Sequence, residues 1–91
     1  MDDGVEHDLQ ALRFHTLVDG HRAEVVYRLA DGVMTITHTG VPEAIGGRGV
    51  AASLTRAALD TARAQGWKVD AQCAYAKDYL QRHKEYADLL A

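Results

Sequence analysis

Apolar and polar residues alternate along much of the chain between residues 11 and 40, a period typical of strands with one buried face. The alternation is clearest at 23–29, where apolar side chains occupy every second position. It recurs less regularly at 12–18 and again, with many β-branched residues, at 33–39. The pattern therefore predicts three strands over these ranges.

Two Asp-Gly pairs separate the predicted strands, Asp19-Gly20 and Asp31-Gly32. Asp-Gly between alternating runs is a strong signal for a tight hairpin turn, because both positions tolerate a positive φ. We therefore expect an antiparallel meander. In its third strand, alternation places Met34, Ile36 and His38 on the apolar-facing side.

After Pro42 the period changes from two to the three or four residues of a helix. Apolar positions recur at helical spacing over 49–65, and Gly66 suits the left-handed position that closes a helix. A short alternating run at 67–73 predicts one more strand, and 76–90 predicts a second, shorter helix with a break near His83. The predicted order is β-β-β-α-β-α, an α+β domain.

Length and composition limit the number of domains, the partners and the compartment that we expect for this chain. The 91 residues suit one domain, which we assign to 11–91, preceded by 1–10 as a loose leader or an early edge strand. Ten Lys and Arg against 13 Asp and Glu give a net charge of -3, so nucleic acid is not an expected partner. No apolar run approaches a membrane span, and the single cysteine and the acidic start favour the cytoplasm.

A glycine-rich turn, Gly46-Gly47-Arg48-Gly49, separates the meander from the first predicted helix. A helix begins with unpaired N–H groups that attract anions, and glycine lets a phosphate approach them closely. The spacing matches neither a Walker A loop nor a dinucleotide fingerprint. Two interpretations stay open on the local sequence: a phosphate or pyrophosphate site, or a loop that needs glycine for its backbone shape.

The turn resembles motif A of the GNAT-type N-acetyltransferases, R/Q-x-x-G-x-G/A, with Gly49 and Ala51 at its last two defined positions. Gly46 stands where that family has Arg or Gln. The resemblance extends over most of the chain. Within the superfamily, the chain is similar to the small YjdJ-type branch. Further matching segments are His38-Thr39-Gly40-Val41-Pro42, Cys73 and Tyr79-Leu80-x-x-His83-x-x-Tyr86.

The resemblance implies a minimal GNAT-like fold, with a mostly antiparallel sheet whose strands splay apart near Gly40. Acetyl-CoA would bind there as co-substrate, its pantetheine beside the backbone of Thr39, Gly40 and Val41. Arg82 and His83, with Lys84, form a basic cluster that would meet the 3′-phosphate of CoA or else remain a solvated helix face. The residues implied for the pyrophosphate are Gly46, Gly47, Arg48, Gly49, Val50 and Ala51.

Three residues are candidates for catalysis, each with a structural alternative. Cys73 is a nucleophile or base candidate, but a lone cysteine often packs as a small hydrophobe. His38 is a general-base candidate or a hydrogen-bonded histidine at the core edge. Tyr79 is a proton donor to the departing thiolate or a packing residue, whereas packing is favoured for Tyr86.

Two functions follow from these candidates. The first is an N-acetyltransferase that moves an acetyl group from acetyl-CoA to an unidentified amine. The alternative is a non-catalytic module that binds CoA or another protein, because so short a chain has little room for an acceptor pocket. No pair of histidines or cysteines has metal-ligand spacing, so no metal is expected.

Overall fold

A computed structural model describes residues 4–91. It has one five-stranded sheet in which the strands lie side by side in chain order. The first three pairings are antiparallel and the last, between β4 and β5, is parallel. The strands are β1 Glu6–Asp8, β2 Arg13–Val18, β3 His21–Ala30, β4 Val33–Gly40 and β5 Lys68–Ala71.

The predicted hairpin turns are confirmed. Asp19 and Gly20 have φ values of 49° and 79°, and Asp31 and Gly32 have 53° and 74°. Two consecutive positive φ angles match the right-handed twist of the flanking strands, which is why Asp-Gly is favoured there. The two turns therefore set the register of β2, β3 and β4.

The segment predicted as a leader or an edge strand contains a strand. Glu6–Asp8 pairs antiparallel with β2 at the edge of the sheet, so the edge-strand alternative describes these three residues. The first three residues of the chain, which that prediction also covered, lie outside the described residues. The imidazole of His7 stacks on Phe14 with ring centroids 4.0 Å apart and bonds the hydroxyl of Tyr27.

The prediction that His38 shares the apolar face of its strand is wrong. Tyr27 pairs with Ile36 and Val26 with His38, which leaves Thr37 unpaired in a β-bulge. An extra residue reverses the alternation beyond it. Met34 and Ile36 are accordingly buried, whereas His38 is exposed on the opposite face of the sheet.

Both predicted helices are present. Helix α1 spans Val50–Gln65 and ends at Gly66, whose φ of 77° is the left-handed closing conformation. Helix α2 spans Ala74–Arg82, and a 3₁₀ segment at Lys84–Leu89 follows it, so the chain breaks at His83 as predicted. Another 3₁₀ turn, Glu43–Ile45, lies between β4 and α1.

The core forms where the helices cover one face of the sheet. Side chains of β3 alternate between buried and partly exposed, which marks the covered and uncovered faces. Tyr86 is buried and donates a hydrogen bond of 2.7 Å to Asp60 of α1, which confirms its packing role. No helix in the described part of the chain is long and apolar enough to cross a membrane. The larger core side chains include Phe14, Val25, Tyr27, Met34, Ile36, Ile45, Leu54, Leu59, Val69 and Leu80.

Candidate functional site

An opening forms where β4 and β5 part. Their pairing ends at Ile36 and Ala71, and the carbonyl of Ile36 still accepts from the N–H groups of Gln72 and Cys73. Beyond that point β4 continues beside β3 only, through Thr39 and Gly40. The sheet therefore splays as expected, but the split begins at Ile36, four positions before Gly40.

The glycine-rich turn leads from this opening into α1. Gly47 and Gly49 have φ values of 77° and 76°, and Gly49 is the residue immediately before the helix. A Cβ added at either would meet no atom within 4 Å, so the space beside the turn is open. Since the first N–H groups of a helix lack partners within the helix, they are available to an anion here.

Gly46 has a structural reason for differing from the family motif. Its N–H donates to the carbonyl of Glu43 at 3.1 Å, which closes the preceding 3₁₀ turn. A Cβ at Gly46 would lie 3.3 Å from that same oxygen. This is tighter than an ordinary contact, so the turn favours glycine over a long polar side chain.

A cleft of about 270 Å³ lies against the turn. Most of its lining is glycine and aliphatic, which suits a narrow apolar ligand segment running toward an anion. Tyr75 of α2 lines the cleft as well. Its lining residues are Val41, Ile45, Gly46, Gly47, Gly49, Val50, Ala51, Ala52 and Tyr75.

Cys73 lies beside the opening, just after β5, and caps the N-terminus of α2. Its Sγ accepts from the N–H of Ala76 at 3.4 Å and lies 3.3 Å from Oγ1 of Thr39. The thiol is partly exposed, so it is not sealed in the core. A partly exposed cysteine sulfur beside an opening can be reached by an incoming acyl group.

Among the described residues, neither of the other two catalytic candidates forms a hydrogen bond to this sulfur. Tyr79 is 6% exposed, stacks on His83 at 4.0 Å between ring centroids, and neighbours Tyr86. Burial raises the pKa of Tyr79 above its ordinary value. His38 lies on the uncovered face, where its Nε2 would be 2.9 Å from a Cβ added at Gly40. The structure therefore brings Thr39, and not His38, to Cys73.

Arg48, Arg82 and His83 each lie beside a carboxylate of the protein. Arg48 forms a 2.5 Å ion pair with Asp19 in the turn between β2 and β3. Arg82 pairs with Asp78 one helical turn earlier, at 3.1 Å. His83 lies 3.4 Å from a carboxylate oxygen of Glu85, at the end of α2 opposite Cys73. Within residues 4–91, no three His, Cys, Asp or Glu side chains cluster as metal ligands do.

Two side chains of the site were not predicted from the sequence. The resemblance implied a role for Thr39 only through its backbone, beside pantetheine. Tyr75 was given no role in the site, although its position two residues after Cys73 was a usable signal. The bulge in β4 decides where the Thr39 side chain lies, and the position of α2 decides where the Tyr75 side chain lies.

Comparison with known proteins agrees with this geometry. The family model of the GCN5-related N-acetyl-transferases matches residues 13–89. The chain therefore belongs to the GCN5-related N-acetyltransferase family. Members of this family use acetyl-CoA as co-substrate.

Particular relatives lie within the same family. Protein NATD1 of Mus musculus is 34% identical over 82 residues, which are 87% of this chain and 74% of that protein. Protein NATD1 of Homo sapiens is 33% identical, with 87% and 73% covered. A Staphylococcus aureus protein assigned to the GCN5-like N-acetyltransferases, solved by NMR, is 32% identical with a TM-score of 0.76. That comparison covers 98% of this chain and 90% of the other.

Proposed function

We propose that this chain is an acetyl-CoA-dependent N-acetyltransferase of the small YjdJ-type branch, acting on an amine in the cytoplasm. One observation carries the proposal: the sulfur of Cys73 lies at the opening between β4 and β5, with the Thr39 hydroxyl and the Ala76 N–H directed at it. A cysteine held this way beside a glycine-rich, anion-accepting turn suits acyl transfer from a thioester.

The residues around the opening fit acetyl-CoA. The N–H groups at the start of α1, from Gly49 to Ala52, suit the pyrophosphate because Gly47 and Gly49 leave the approach open. The free edge of β4 at Thr39 and Gly40 suits the amide groups of pantetheine. When bound, the cofactor supplies an acetyl group in an activated thioester. Arg48 reaches a phosphate only by leaving Asp19.

Cys73 would act as nucleophile in a two-step transfer. Its thiolate would attack the acetyl carbonyl, so that a bond from Sγ to carbon forms as the bond from CoA sulfur to carbon breaks, and the departing thiolate would take a proton from solvent. The acceptor amine then attacks the acetylated Cys73, loses a proton and releases the thiolate. Thr39 and the N–H of Ala76 hold the sulfur between the two steps.

Acetyl-CoA turnover against a panel of polyamines and lysine peptides tests the proposal, with wild type beside Cys73→Ala and Cys73→Ser. We expect both substitutions to lower kcat by about 100-fold or more, because covalent catalysis is lost. Cys73 is the only cysteine in the sequence, so an acetyl adduct on the intact protein, absent from Cys73→Ala, identifies the acetylated site. Full turnover by Cys73→Ala would overturn the covalent route.

A non-catalytic CoA-binding module is the second candidate. It is favoured by the positions of His38, exposed on the uncovered sheet face, and Tyr79, a buried residue of α2, since the hydrogen-bond partners of the sulfur are Thr39 and Ala76 instead. A thermal shift with CoA, without turnover of any amine or an adduct on Cys73, would support this function over the first. No shift with millimolar CoA would exclude both.

A further inference from the structure

Tyr75 is the aromatic residue on the open side of the cleft. It lies in the first turn of α2, two residues after Cys73, and lines the cleft whose other wall is the glycine-rich turn and the start of α1. It is 36% exposed, so part of its ring packs in the protein and part is available to a ligand. None of the roles described above uses it.

The surroundings of Tyr75 favour contact through its ring and not through its hydroxyl. The cleft wall opposite is glycine and aliphatic, from Val41 to Ala52. Tyr79 supports the ring from within the core, with centroids 6.3 Å apart. Among residues 4–91 the hydroxyl of Tyr75 has no hydrogen-bond partner. Burial raises the pKa of Tyr75, with a smaller opposing effect from Arg82 of the same helix, so the side chain stays a neutral phenol.

Tyr75 lies between the two sites that would hold the ends of the proposed ligand. A pyrophosphate on the turn and a thioester at Cys73 are joined by pantetheine, whose first part, next to the phosphates, carries an apolar dimethyl group. That part must cross the cleft between the N-terminus of α1 and the N-terminus of α2. Tyr75 lines this crossing from the α2 side.

We propose that the Tyr75 ring is a binding residue for the apolar, phosphate-proximal part of pantetheine, which it holds against Val41 and Val50. This inference rests on the proposed function, because it takes CoA as the ligand of the cleft. With this role, Tyr75 makes the cleft bind CoA more tightly than nucleotides that lack pantetheine. Aromatic faces bury large areas of aliphatic ligand at little entropic cost, since few rotatable bonds are fixed.

Calorimetric titration with two probes tests the assignment: CoA, and 3′-phospho-ADP, which has the phosphates without pantetheine. We expect Tyr75→Ala to weaken CoA binding about tenfold and to leave 3′-phospho-ADP unchanged. Tyr75→Phe should bind both probes as wild type does. Leu17→Ala, an exposed residue on β2, is the control and should change neither. If Tyr75→Ala unfolds, Tyr75→Leu replaces it, with an expected loss of about threefold in CoA affinity.

The outcomes separate the inference from the function on which it rests. If the wild type binds neither probe, the proposed function fails. If the wild type binds CoA and Tyr75→Ala binds it equally well, the role of Tyr75 is overturned while the function stands. Equal losses for CoA and 3′-phospho-ADP would place the effect at the turn, and a loss in Tyr75→Phe would assign it to the hydroxyl. Either result overturns the assignment to the ring.

Discussion

Thr37 is the single residue that decides which side chains meet at the candidate site. Unpaired between β3 and β4, it bonds the carbonyl of Val26 through its own hydroxyl at 3.3 Å and reverses the alternation after it. Thr39 consequently shares the helix-covered face with Cys73, and His38 faces the other way. Because of this one extra residue, the Cys73 sulfur has the hydroxyl of Thr39 beside it and not the imidazole of His38.

This exchange predicts a small effect of replacing His38. His38→Gln should lower kcat for acetyl transfer by less than about tenfold, whereas removal of a general base costs about 100-fold or more. Steady-state turnover against a panel amine, with Cys73→Ala measured in parallel, provides the comparison. A loss in His38→Gln as deep as that of the cysteine variant would restore His38 as the base.

His7 predicts a dependence of folding stability on pH. Burial against Phe14 and Tyr27 lowers the pKa of His7 below 6.5, and the smaller opposing effect of Asp8 does not cancel this. As pH falls through about 6.5, the unfolded chain binds a proton at His7 before the folded chain does, so the folded state loses stability.

The comparison is with His7→Phe, which retains a ring on Phe14 and cannot titrate. The difference in Tm between wild type and variant should be constant above about pH 7 and shift against the wild type toward about pH 5. Tm curves that stay parallel over that whole range would contradict a lowered pKa of the partly buried His7.

Helix α1 has glycines in nearly identical conformations just outside its two ends. Gly49, before the helix, has φ 76° and ψ 16°, and Gly66, after it, has φ 77° and ψ 21°. At Gly66 the N–H closes the helix on the carbonyls of Ala62 and Arg63. At Gly49 the same conformation instead leaves the first N–H groups of the helix open beside the cleft. The same left-handed conformation, which glycine adopts without strain, therefore serves different purposes at the two ends.

Gly49→Ala and Gly66→Ala form a matched pair. Each should lower the free energy of unfolding by about 1–2 kcal/mol, since a Cβ is disfavoured in the left-handed region and neither position offers a clash that would add to it. Urea unfolding measures this loss. Titration with CoA should show weaker binding for Gly49→Ala only, and equal weakening in both variants would argue against a phosphate site at the turn.

At the scale of the whole molecule, one apolar core lies between the sheet and its helices. Leu54 and Leu59 of α1 are fully buried in this core, and Leu89 of the C-terminal 3₁₀ segment is also part of it. Arg63 ties that segment to α1 by bonds to Glu85 and Asp88. The chain resumes contact with β5 at its end, where the N–H of Ala91 donates to Val69.

A shared core predicts cooperative unfolding with unequal costs for two leucines. Leu54→Ala should lower the free energy of unfolding by about 2–5 kcal/mol, because it leaves a cavity in the core. Leu17→Ala should change it by less than about 0.5 kcal/mol, since Leu17 is 69% exposed on the sheet. Urea midpoints at unchanged slope measure both, and a second transition in Leu54→Ala would contradict one core.

Much of the fold was predictable from local signals. The Asp-Gly turns, the helical spacing before Gly66 and the break at His83 each depend on a few neighbouring residues, and the structure confirms all three. The bulge at Thr37 was not predictable in this way. It depends on how two strands pair across the sheet, and the alternating residues around it are compatible with a regular strand.

The sequence by itself determined the order of elements from β2 onward and the glycine-rich turn before α1, because these follow from periodicity and from residues adjacent in the chain. Its resemblance to the GNAT-type proteins indicated the family, which the comparisons show. Only the tertiary structure decided that Thr39 meets Cys73, that Tyr79 is buried and that Tyr75 faces the cleft. The physical reason is that these relations join segments far apart in sequence. Strand pairing and helix packing fix which face each residue presents, and a shift of one residue reverses that face.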